Sequence, residues 1–142
     1  MSSGEAIFQT LVYALAIIIP LWALIAGGRA ERIAAIIFVV ATIASKTVEE
    51  LSLAKHAGVI FLGIDGAMAV GFLVLALLYR HLWISLMMLT MAGFFSIHAF
   101  YEMTGRDLDP SFALASNLAT TVLLASLAIG TWTARGRRDE VD

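Results

Sequence analysis

Cysteine is absent from all 142 residues. Disulfides, thiolate metal centres, iron–sulfur clusters and covalently attached haem are therefore excluded. Charge is scarce: Asp, Glu, Lys and Arg make up 14% of the chain, whereas an average soluble domain carries about 25%. A surface so poor in charge cannot face water on every side, which excludes a soluble globular fold. The formal net charge is −2, so there is no basic footprint for nucleic acid. Proline occurs twice, and no low-complexity run is present. The length allows one domain.

What the chain has instead is apolar sequence, 61% of its residues, divided by sparse charges. A helix needs about 20 mostly apolar residues to cross the hydrocarbon core. The gaps between charges predict five such helices, over about 6–28, 31–50, 57–79, 82–103 and 111–134. The second is the most polar and ends near Lys46, Glu49 and Glu50. The third carries one charge, Asp65, and the fourth carries His81 and His98. Backbone groups inside a bilayer have no water to bond, so the spans are expected to be helical. The expected fold is thus an all-α membrane bundle in one domain, followed by a short charged tail over 135–142.

Orientation follows from Lys and Arg. With the N-terminus outside, Arg29, Arg32, Arg80, Arg135, Arg137 and Arg138 fall on the cytoplasmic side. Only Lys46, Lys55 and Arg106 fall outside, which is the direction of the positive-inside rule. Trp22, Trp83 and Trp132 all land at the cytoplasmic interface, where an apolar ring with one N–H is favoured. They are expected to act as interface anchors, together with Arg135, Arg137 and Arg138 at anionic headgroups. The first span lacks the basic leader of a cleaved signal and carries Glu5 instead, so it is read as retained.

Gly63, Ala67 and Gly71 recur every four residues, a stripe that lets another helix approach closely. Asp65 lies on a different face. A charge that avoids lipid and a stripe that seeks a neighbour together place the third helix at the centre of the bundle.

Counted from the cytoplasmic ends, Lys46, Asp65, His98 and Asn117 all rise roughly 22–26 Å at 1.5 Å per residue. Each of helices two to five thus offers one polar group to a shared layer near the outer face, and Gln9 and Thr10 are candidate additions from the first. Glu49 lies one turn above Lys46, and Glu102 one turn above His98. Asp65 and His98 are expected to pair across the tight third hairpin, with Lys46 or Glu102 as a further neighbour. Such a layer serves either as a clamp on helix register or as a ligand or proton site.

Other chemistry finds little support. His98 and Glu102 form H-x-x-x-E on one face, but a zinc site needs three or four ligands, so no metal is expected. His81 and His98 lie at opposite ends and cannot share a haem iron; no cofactor is expected. There is no G-x-S-x-G elbow and no Walker lysine. The inner half offers only Ser85, Thr90 and Thr131, too little for a proton or ion path through the whole thickness. Met87, Met91, Phe94 and Phe95 read as core packing.

One likeness stands out. Asp65, Arg80, Trp83 and His98, with the closing Leu127-Ala-Ile-Gly-Thr-Trp132, make the chain resemble an uncharacterised family of small polytopic inner-membrane proteins of alphaproteobacteria. The resemblance runs from about Val59 to Trp132. The chain departs from that pattern in having Trp83-Ile84 rather than Trp-Pro after Arg80, and in lacking an aromatic–proline pair in the fifth helix. The resemblance implies a bacterial inner membrane and carries no activity.

The sequence therefore leads to three functional expectations. The first is a non-enzymatic accessory or structural subunit, its partners being the bilayer, a larger membrane complex or a second copy of itself. The second is a small-ligand or proton-linked binding protein using Asp65, His98 and Lys46. The third is a membrane enzyme on a lipid or isoprenoid substrate.

Overall fold

The computed structural model describes residues 3–51, 57–107 and 109–139. Five helices account for nearly all of them: α1 Ser3–Ala26, α2 Arg29–Glu50, α3 Ala57–Tyr79, α4 Leu82–Thr104 and α5 Pro110–Asp139. Among the described residues, Gly58–Tyr79, Leu82–Thr104 and Pro110–Gly136 are long and apolar enough to cross a membrane, while the apolar stretch Thr10–Ala26 of α1 is shorter. The protein is accordingly a helical bundle of membrane-spanning type. The first four helices match the expected segments closely, whereas α5 continues as helix to Asp139 through the stretch expected as a charged tail.

The turns have local causes. Gly27 joins α1 to α2 where a Cβ would lie 2.3 Å from the Ala23 carbonyl oxygen and 2.7 Å from Glu31 Cβ, so only glycine lets the two helices meet. Arg80 takes the left-handed conformation, with φ of 50°, and His81 is extended ahead of α4, which reverses the chain in two residues. Gly105, with φ of 61°, ends α4. Its N–H bonds the Glu102 carbonyl, and the Arg106 N–H reaches back to the Tyr101 carbonyl, the Schellman pattern that a glycine past a helix end permits. Asp109 then caps α5: its Oδ1 accepts the Phe112 N–H at 3.0 Å and the Tyr101 hydroxyl at 2.8 Å. Pro110, the first residue of α5, needs no N–H there.

The helices form a ring. Each packs against its neighbours in the chain, α1 closes against α5, and α2 also touches α5. Phe72, Ile84, Met87 and Leu127 are fully enclosed at the core. α3 packs only on α2 and α4. It is not the centre of the bundle, contrary to the sequence expectation. Gly71 does meet a neighbour, Ile37 of α2, but Gly63 has open space where a Cβ would stand, and Ala67 is exposed. The stripe and the Asp65 face thus do not both need protein cover. The lateral surface carries many large apolar side chains, such as Ile25, Leu77 and Leu78, as a lipid-facing wall requires.

One end of the bundle holds the Gly27–Gly28 turn, the Arg80–His81 turn and the last turns of α5. Trp132 is exposed there and Trp22 half-buried. Trp83 is not a free anchor. It is 8% exposed, and a Cβ on Gly130 would fall 2.6 Å from its ring, so it packs flat on α5. Arg135 is exposed. The side chains of Arg137 and Arg138 lie outside the described residues, as do those of Glu5 and Gln9 and the whole of Lys55 and His56.

Candidate functional site

Toward the opposite end the ring of helices opens into a cavity of about 320 Å³. All five helices line it. Phe38, Met68, Met91 and Leu123 give it apolar walls, and Lys46, Asp65 and Asn117 bring polar groups to it. Three of the four residues expected at a common height therefore meet on one cavity. A ring of five helices leaves an axial gap wherever the inward side chains are small, and Ala16, Ala41 and Ala119 supply that here.

The fourth residue, His98, stands behind the wall. Its Nδ1 lies 2.6 Å from Asp65 Oδ2, so α3 and α4 are pinned to each other by the expected pair. A carboxylate can only accept, so Nδ1 carries the hydrogen. His98 is 5% exposed and sits in an aromatic cage, with the Phe94 ring 6.1 Å and the Phe112 ring 5.2 Å from its own. Tyr101 packs edge-on against Phe112 at 5.2 Å. The side chain of Asp65 remains 17% exposed and faces the cavity. The dyad thus presents a carboxylate to the cavity and an imidazole to the protein.

Neither further neighbour expected for the pair joins it. Lys46 turns to its own helix: Nζ is 2.6 Å from Glu49 Oε2, with both side chains about half exposed. The Lys46 ammonium also lies 5.8 Å from the centre of the Tyr13 ring. Spacing of three residues on one helix wins here because it costs no tertiary rearrangement. Glu102 lies instead over the start of α3, where its carboxylate occupies the space that a Cβ on Gly58 would need. Among the described residues, no group of three or more His, Asp or Glu is placed to hold a metal.

Two contributors escaped the sequence reading. Pro20 lies inside α1 and has no N–H, so the carbonyl of Ala16 lacks its usual partner four residues on. Ala16 lines the cavity. The signal was visible, since a proline within an apolar span leaves a free carbonyl one turn back. Thr42 also reaches the cavity, but its hydroxyl donates to the Phe38 carbonyl at 2.9 Å, leaving only lone pairs to offer.

A second group of buried polar atoms lies near the arginine-bearing end. Glu31 is 2% exposed, and its Oε1 has no hydrogen-bond partner, nor do Trp83 Nε1 and Ser126 Oγ. Glu31 stands in the first turn of α2, where the helix dipole favours a negative charge. Trp83 and Ser126 line a smaller cleft of about 270 Å³ between α4 and α5. An acid at a helix start reads as an ordinary end residue, so nothing in the sequence marked its burial.

Comparison with known protein families, curated proteins and solved structures finds no match to the chain.

Proposed function

We propose that this protein is a non-enzymatic, multi-pass protein of a bacterial inner membrane that holds a small amphipathic molecule in the five-helix cavity. All five helices cross the bilayer, with the N-terminus outside and the C-terminus in the cytoplasm. The observation that carries the reading is the cavity: about 320 Å³, apolar at its core, with Asp65, Lys46 and Asn117 on its wall. Small-molecule sites commonly enclose about 300–1,000 Å³, with apolar walls and a few placed polar groups. The Arg and Trp bias and the resemblance to alphaproteobacterial inner-membrane proteins support the location.

The test is native mass spectrometry of protein released from its membranes. Wild type is expected to retain a small molecule that Ala16→Phe, which fills the cavity, loses. Identical spectra without any retained molecule would remove the reading.

A second reading, an accessory subunit of a larger membrane complex, draws support from α3. That helix has two helical neighbours and turns Gly63 and Ala67 outward. Co-purification of a stoichiometric partner that Gly63→Leu releases would favour it.

A further inference from the structure

The cavity's own hydrogen bonding points to the charge of its occupant. We infer that the molecule bound there is an organic cation: an ammonium group on an apolar body. This inference rests on the ligand-binding reading above.

Among the described residues, Asp65 is the only acidic side chain on the cavity wall. One of its oxygens is taken by His98, which leaves the other for a ligand. Two further groups on the wall only accept, while Tyr13, Ser45, Ser116, Asn117 and Thr120 can donate as well. The Ala16 carbonyl is freed by Pro20, and the Thr42 oxygen has already donated its hydrogen to Phe38. Met68 and Met91 add soft sulfur atoms. Three aromatic rings, Tyr13, Phe38 and Phe94, line the same space, and ring faces attract cations. Among the described residues Lys46 is the one cation on the wall, and Glu49 neutralises it at 2.6 Å. A donor-rich, positively charged head therefore finds a carboxylate, lone pairs and ring faces, whereas a carboxylate or phosphate would meet the negative charge of Asp65.

The Lys46 ammonium, 5.8 Å from the Tyr13 ring centre, shows that this wall already accommodates a positive group. The apolar floor of Phe38, Met91 and Leu123 fits the body that such a cation would carry out of the lipid.

The experiment compares three probes of nearly equal shape on full-length protein in lipid nanodiscs: phenylpropylammonium, butylbenzene and phenylpropionate. Wild type is expected to bind the cation about tenfold more tightly than butylbenzene, and phenylpropionate more weakly than either. Asp65→Asn should abolish the preference for the cation over butylbenzene. Lys46→Gln alters an exposed residue and so spares the fold; it should strengthen cation binding about threefold and weaken the anion further. Butylbenzene or phenylpropionate binding as tightly as the cation, blocked by Ala16→Phe, would overturn the charge assignment and leave the ligand-binding reading standing. No binding of any probe to wild type would overturn both.

Discussion

Asp65 and His98, 33 residues apart in the chain, meet at 2.6 Å across the α3–α4 hairpin, the carboxylate on a cavity wall and the imidazole enclosed by Phe94 and Phe112. The pair joins two tasks. It ties α3 to α4, and it holds the one acidic side chain that the described residues bring to the cavity.

If the pair fixes register, its energy is measurable as a coupling. Hydrogen bonds between membrane helices average about 0.6 kcal/mol, and a charged partner roughly doubles that. A double-mutant cycle of Asp65→Asn and His98→Ala, read by unfolding in mixed micelles, should give a coupling of about 1 kcal/mol. Strict additivity would mean that the 2.6 Å contact adds nothing to stability.

Trp83 of α4 packs against Gly130 of α5. A Cβ at Gly130 would stand 2.6 Å from the indole, so Gly130→Ala forces one helix away from the other. Overpacking of this kind costs about 1–3 kcal/mol. Thermal unfolding should fall for Gly130→Ala and recover in part when Trp83→Phe is added. Gly93→Ala, where a Cβ meets nothing within 4 Å, should not lower stability.

Asp109 makes the α4–α5 turn sensitive to acid. The Phe112 backbone N–H, then the Tyr101 hydroxyl, hold its carboxylate below the ordinary value. A depressed folded pKa means a contribution that is present above the unfolded pKa and lost as pH falls through the folded one. Wild type should therefore exceed Asp109→Asn in stability at neutral pH. The difference should shrink as the pH drops below the usual carboxylate range. Unfolding midpoints of the two proteins measured across acidic pH would check this; a gap independent of pH would count against it.

The absence of cysteine makes the topology directly accessible. Single cysteines at Leu51 and Gly105 should react with an impermeant maleimide in intact spheroplasts, and those at Arg80 and Gly136 only after lysis. The reverse pattern would invert the molecule in the membrane, and labelling of Leu51 and Arg80 from the same side would reduce the number of spans.

The site was only partly readable along the chain. Depth was legible, because a helix rises by a fixed 1.5 Å per residue; that is why Asp65, His98, Lys46 and Asn117 could be assigned to one layer. Direction was not. Whether Lys46 turns to Asp65 or to Glu49 depends on side-chain choices a few ångströms apart, and the same-helix partner prevailed. Nothing along the chain marked Glu31, which is enclosed at the start of α2.

The sequence by itself determined five helices and most of their ends, since apolar run length and glycines at turns are local quantities; α5 alone ran past its expected end, to Asp139. Only the tertiary structure decided that α3 sits in the ring rather than at its centre, that Trp83 is packed on Gly130, and that a cavity opens beside Asp65. Those outcomes follow from which helices neighbour which around the bundle axis. That order is set by the fit of side-chain volumes between helices, and periodicity along one strand of sequence does not carry it.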